Sequence, residues 1–240
     1  MRLIVTGDGV LAQTVRACCQ HDGHGPSILW ICHDTPLFSN NAPAMGILLE
    51  RIQRDVADYA GWDACVVLSS QVPVGTMRQL ETEYPGVHWA YVPENIRVAH
   101  AEADFLHQSR IVIGTRHAGV VEWLTVLLCP FTQHIISTDP ETAEMVKSAL
   151  NGFLALNIAY INEIAALCAK VGANADTVAE ALRLDERISA KAPLHPGAPF
   201  GGGHLARELH NLNQMAQQHQ VSVPIIEHIL DSNGPQGRLK

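Results

Sequence analysis

The chain opens Met1-Arg-Leu-Ile-Val-Thr-Gly7-Asp-Gly9-Val-Leu-Ala12, and this stretch sets the expected architecture. Residues 2–6 are a short apolar run that reads as a buried strand, and residues 13–21 beyond the glycines have helical character. Strand, glycine turn and helix in that order begin an α/β unit. Glycine in such a turn lets backbone N–H groups approach a pyrophosphate, which then lies at the positive end of the helix. Ala12, as the third small residue, permits close packing of helix on strand. The same stretch also reads as an ordinary tight strand-to-helix turn, because a lone Gly-x-Gly-x-x-Ala is a weak signal.

Further strands are expected at Ser27–Cys32, Ala64–Ser69, Val87–Val92 and Arg110–Gly114, with helical stretches between several of them. Met45–Tyr59, with Ile47, Leu48, Ile52 and Val56 on one face, reads as an amphipathic helix. From Thr138 the character changes. Asp139 is an N-cap, Pro140 suits the first helical position and Glu141 suits the first turn, so a helix starts there and runs to Val171, with Gly172 as its stop. Phe153, Tyr160, Ile161, Ile164 and Leu167 spread around most of its circumference, which predicts a helix buried on nearly every side, partly in a dimer interface. Shorter helices are expected over Asp176–Leu184, Leu205–His219 and Pro224–Asn233. The fold class is α/β: a reduced, Rossmann-like parallel-sheet domain over 1–137, then an all-helical domain over 138–240 with a long central helix.

A chain of 240 residues holds one large domain or two small ones at roughly 150 residues per domain. Lys and Arg number 16 against 24 Asp and Glu, a net charge of −8, and without a basic run such a chain repels a phosphate backbone. Nucleic acid is therefore excluded as a partner. Hydrophobic residues at 47% and charged residues at 17% describe a globular protein. No signal-peptide pattern follows Met1, and no apolar run approaches the ~18 residues that span a bilayer, so a cytoplasmic protein without membrane contact is expected. Cys18, Cys19, Cys32, Cys65, Cys129 and Cys168 lack CxxC spacing and read as buried reduced thiols. Thirteen histidines do not make a metal site, and no metal is expected.

Several segments, in order, resemble the UDP-glucose/GDP-mannose dehydrogenase family. They are the glycine turn, Ile31-Cys-His-Asp-Thr35-Pro36-Leu37, Ser69-Ser-Gln-Val-Pro73-Val-Gly75-Thr76, and Pro93-Glu94 followed by Asp104-Phe105-Leu106 and Arg110-Ile-Val-Ile-Gly114. Lys147-Ser-Ala-Leu-Asn151-Gly-Phe-Leu-Ala with Ile161-Asn162-Glu163, and Arg187-Ile188 through Pro196-Gly197-Ala-Pro-Phe200-Gly201-Gly202, carry it most strongly. Members of that family oxidise a sugar-nucleotide alcohol to a carboxylate with two NAD. The resemblance implies NAD contacts at Gly7, Gly9, Val10, Leu11, Thr35, Pro36 and Ser70, and substrate contacts at Phe200, Gly201 and Gly202 of a Pro- and Gly-rich loop. It implies alkoxide stabilisation by Lys147 and Asn151, which lie four apart on one helix face.

Departures from the family pattern fall on the chemistry. Where the family has Gly-Gly-Ser-Cys-x-Pro-Lys-Asp, this chain has Gly201-Gly202-Gly203-His204-Leu-Ala-Arg207-Glu208, so no thiohemiacetal can form there. Glu94 remains, but the second acid expected four residues later is Val98, and Gln71 replaces a hydroxyl residue before Val-Pro-Val-Gly. The Thr-Pro strand follows the first helix almost at once, so a block of the nucleotide-binding sheet is missing and the adenosine pocket is expected to be incomplete. Asp34 could serve as a ribose acid, but Asp34-Thr-Pro fits the family order better. The family's C-terminal UDP-binding domain is expected to be absent.

His204 and Glu208 are four apart, so the carboxylate could orient the imidazole as a base, or His204 could merely fill the pocket left by the cysteine. Glu94 could polarise a water. The expected activity is one-step, NAD-dependent oxidation of a CH–OH group on a small-molecule substrate such as a sugar nucleotide, in a homodimer formed through the helix 139–171. An inactive remnant acting in binding or assembly, or a non-redox enzyme reusing the pocket, are the alternatives.

Overall fold

A computed structural model describes residues 2–19, 27–36, 38, 44–59, 65–94, 96–201 and 203–234. Its chain divides into two compact units, one through Lys147 and one from Ser148 onward.

In the first unit, β1 (Arg2–Thr6), β2 (Ser27–Ile31), β3 (Cys65–Leu68), β4 (His88–Tyr91), β5 (Ile111–Gly114) and β6 (Ile135–Thr138) lie side by side in chain order. All neighbours are parallel except β4 and β5, which meet antiparallel at Tyr91 and Gly114. The helices are α1 (Val10–Cys18), α2 (Met45–Tyr59), α3 (Thr76–Glu83), α4 (Ala101–Leu106) and α5 (Ala118–Leu128). The apolar runs of β2 to β5 are buried on both faces, as a sheet covered by helices on either side requires.

Alternation along the strands assigns each helix to a face. Ile28, Trp30, Cys65, Val67, Ala90, Ile111 and Ile113 pack with Ala12 and Val15 of α1 and with Val120 and Leu124 of α5. Leu29, Ile31, Val66, Leu68, Trp89 and Val112 pack with Leu48 and Ile52 of α2 and with Met77 and Leu80 of α3. Each fully buried aliphatic side chain contributes roughly 1.5–3 kcal/mol. The chain steps in the same direction from β1 to β2 to β3 to β4, yet α1 covers one face while α2 and α3 cover the other. The β1–α1–β2 crossover therefore has the opposite hand to the next two, and to β5–α5–β6, where reversed strands carry α5 on α1's face. Right-handed crossovers are the strong rule, so β1–α1–β2 is the left-handed unit.

Two strand expectations need correction. The first strand is an edge strand, half-exposed rather than buried, and no described strand pairs with its outer side. Arg16 Nη2 instead donates to Val5 O at 2.9 Å and Gly7 O at 2.7 Å, a cation that satisfies the carbonyls of an open edge. A sixth strand, β6, escaped the sequence reading because Ile136 and Ser137 are exposed and leave no continuous apolar run.

Asp139 caps α6 (Pro140–Val171), with Thr142 N donating to its Oδ1 at 2.8 Å. Gly172 ends the helix at φ 74°, a left-handed backbone that glycine adopts without strain. Within the single chain, Phe153 is 59%, Tyr160 48% and Leu167 61% exposed. The chain does not lack a segment of bilayer-spanning length, since by length and composition α6 qualifies, with a mean hydropathy of 1.5 over 18 residues. It nevertheless carries Glu141, Glu144, Lys147, Glu163 and Lys170 beside Ser148 and three Asn.

In the second unit, α7 (Ala175–Leu184), α8 (Gly203–Gln218) and α9 (Pro224–Asn233) accompany the rest of α6. Ala155, Ala159, Leu209 and Ile229 form one apolar cluster, and Ile161, Ala179 and Leu194 another.

Candidate active site

The turn after β1 is built on two glycines. Gly7 has φ 102°, and a Cβ there would stand 2.6 Å from Cys32 O. Gly9 is the N-cap of α1 with no side-chain cap, and the first intrahelical bond runs from Gln13 N to Gly9 O. The N–H groups of Val10, Leu11 and Ala12 consequently have no intrahelical acceptor. An open cleft of about 300 Å³ beside the turn is lined by Gly7, Asp8, His33, Arg51, Arg54 and Asp55. His33 Nε2 and Asp55 Oδ2 meet there at 2.6 Å. Thr35 is buried and its hydroxyl donates to Gln71 O at 2.5 Å. Ser70 is buried, and its Oγ has no hydrogen-bond partner among the described residues. An orphan hydroxyl at the end of β3 and unpaired N–H groups at the start of α1 fit a polar, anionic cofactor such as a dinucleotide, provided that Asp34, which lies against Gly9, moves aside.

Glu94 and Lys147 come together. The Lys147 ammonium donates to the Glu94 carbonyl oxygen, and the Glu94 carboxylate accepts from Ile96 N. Leu11, Trp30, Val92, Ile96 and Phe105 surround Glu94. Burial pushes its carboxyl up to about 7, Lys147 pulls it down, and Asp104 and Asp34 push it further up. A carboxyl poised near neutrality is suited to handling a proton.

One residue here was missed by the sequence reading. Glu144 is fully buried and its carboxylate accepts from Gly75 N at 2.7 Å and Met77 N at 2.8 Å, so it caps α3 from a distant part of the chain. Burial raises its carboxyl to about 7 against those two hydrogen bonds. A carboxylate between the apolar Ala143 and Met145, one turn before Lys147, was the available signal.

Within the second unit, Asn151 is buried on α6. Glu208 is fully buried, and its Oε2 accepts the Ser148 hydroxyl at 2.6 Å. His204 is exposed, with Nδ1 lying 2.9 Å from Arg207 Nη2. A ring nitrogen facing a guanidinium acts as acceptor, which assigns the ring proton to Nε2. Asn211, one turn beyond Glu208, is buried with neither amide atom bonded among the described residues. Phe200 is half-buried and Gly201 exposed, while Gly202 lies outside the described residues. Asn162 Oδ1 accepts from Gly197 N at 2.9 Å, anchoring the same loop. All six cysteines are free, and burial pushes the Cys19 and Cys65 thiols up to about 12; Cys129 is exposed, contrary to expectation.

A strand–glycine turn–helix start, a mostly parallel sheet and a long helix leading into a helical unit define a Rossmann-like α/β protein with a helical second unit. Residues 15–132 match the NAD binding domain of the UDP-glucose/GDP-mannose dehydrogenase family, and residues 141–234 match its central domain. UDP-glucose 6-dehydrogenase YwqF of Bacillus subtilis is 33% identical over 87% of this chain and 49% of its own length. UDP-glucose 6-dehydrogenase of Rickettsia felis is 31% identical over 74% of this chain and 41% of its own. The solved UDP-glucose dehydrogenase of Pyrobaculum islandicum superposes with a TM-score of 0.77 at 26% identity, covering 86% of this chain and 50% of that one. The chain belongs to the UDP-glucose/GDP-mannose dehydrogenase family. It spans about half the length of these relatives.

Proposed function

We propose that the protein is an NAD-dependent oxidoreductase that oxidises a CH–OH group of a sugar nucleotide or related small molecule and stops at the carbonyl. The observation that carries this reading is the half-buried Lys147 ammonium held beside Glu94, in a chain of this family. NAD, when bound at the Gly7–Gly9 turn with Thr35, Pro36 and Ser70 nearby, would supply the hydride acceptor. Lys147 and Asn151 stabilise the alkoxide that forms as the hydroxyl loses its proton. Glu208 or His204 takes that proton, and Glu94 polarises a neighbouring water. Phe200 and Gly201 contact the substrate. His204 stands where the family's nucleophilic thiol would be, and imidazole provides no thiohemiacetal for a second hydride transfer.

In this reading residues 1–137 are the shortened cofactor domain and 138–240 the helical domain. A homodimer forms through α6, whose exposed Phe153, Tyr160 and Leu167 recur every seven residues. Free cysteines suit a reducing, cytoplasmic setting. Incubation with UDP-glucose and NAD, with NADH and sugar products both quantified, tests the chemistry. One NADH per carbonyl product is expected; stoichiometric uronic acid with two NADH overturns the one-step reading. The half-exposed outer edge of β1 favours a second reading, a binding or assembly protein with an incomplete adenosine pocket, which a Lys147→Ala variant with unchanged biological output would support.

A further inference from the structure

The Asp34 carboxylate lies against the glycine turn. Gly9 has an ordinary φ of −71°, so its backbone conformation does not require glycine. As Asp34 stands, its carboxylate fills the space a side chain would take: a Cβ on Gly9 would meet Oδ2 at 2.4 Å, Cγ at 2.8 Å and Oδ1 at 2.9 Å. Gly7 is required by its positive φ and the Cys32 carbonyl, whereas Gly9 is crowded only by the Asp34 carboxylate. Asp34 is exposed, so its side chain can rotate away. Where it stands, it lies against the N-cap of a nine-residue helix whose first N–H groups lack intrahelical acceptors. A pyrophosphate uses those N–H groups and the positive end of the helix dipole, and it carries negative charge into the same small volume.

We propose that the Asp34 carboxylate takes the place of a pyrophosphate at the Gly7–Gly9 turn, so that a dinucleotide binds only by displacing it and Asp34 acts as a brake on cofactor affinity. This rests on the dehydrogenase reading above. Displacement has two components, the bulk of the side chain and the repulsion between like charges at close range. Asp34→Gly removes both, whereas Asp34→Asn keeps the bulk and removes the charge.

Titration of the full chain with NADH, followed by fluorescence and calorimetry, separates the outcomes. Asp34→Gly is expected to bind about tenfold or more tighter than the wild type, with Asp34→Asn between them. Equal affinity in all three proteins overturns the brake and leaves the dehydrogenase reading standing. Absence of binding by all three at millimolar NADH overturns both. Circular dichroism confirms folding, and if Asp34→Gly does not fold, an Asp34→Asn protein no tighter than the wild type overturns the proposal by itself.

Discussion

The side chain of Asn233 grips the backbone of Phe200 at two points: Phe200 N donates to Oδ1 at 2.8 Å, and Nδ2 donates to Phe200 O at 3.0 Å. An amide side chain at the end of α9 thereby pairs with a loop residue as a neighbouring strand would. Replacement of Asn233 by Ala is expected to raise the hydrogen-exchange rate of the Phe200 amide by about tenfold or more, since each such bond contributes on the order of 1 kcal/mol. Asn233→Asp retains the acceptor and is expected to preserve most of the protection. Unchanged exchange in Asn233→Ala would show that the loop is held by other contacts.

Lys147→Ala is expected to lower the rate of NADH formation by about 10²- to 10³-fold, the usual effect of removing a donor aimed at a developing oxyanion. Its melting temperature is expected to stay within a few degrees of the wild type. Activity equal to the wild type would remove Lys147 from the chemistry.

Two carboxyls, Glu94 and Glu144, are raised to about 7 by burial, against an ordinary value of 4.5. Between roughly pH 4.5 and 7 the folded state binds more protons than the unfolded state, so stability is fullest below that window and falls as pH rises through it. Denaturant melts are expected to show the protein less stable at pH 8 than at pH 5, by on the order of a few kcal/mol. Glu144→Gln cannot ionise and is expected to flatten part of this slope. Asp104, held below the usual carboxylate range by Arg97, titrates at lower pH and leaves the window undisturbed.

If α6 pairs with a second copy through Phe153, Tyr160 and Leu167, glutamates at 160 and 167 place unpaired charges in an apolar seam. Sedimentation is expected to show a dimer for the wild type and a monomer for Tyr160→Glu/Leu167→Glu. A wild-type monomer would remove this assembly.

Much of the fold was legible in nearby residues. The α2 helix occupies Met45–Tyr59 and α9 occupies Pro224–Asn233, as expected, because each pattern of apolar spacing reports a face that is buried locally. Asp139 and Gly172 punctuate α6 for the same reason: caps act within a few residues of themselves. That Lys147 and Asn151 share a helix was legible from the same local pattern.

The remainder depends on which distant segments become neighbours. Glu144 caps a helix 69 residues away, and its polarity alone could not name that partner. Whether Gly9 faces a ligand or the Asp34 carboxylate depends on β2 lying beside β1, and the hand of the β1–α1–β2 crossover depends on which face α1 covers. Hydrophobic periodicity and capping are short-range consequences of backbone geometry. Strand order, buried charge and the occupant of a turn arise only when the sheet assembles and sets the surroundings of each group.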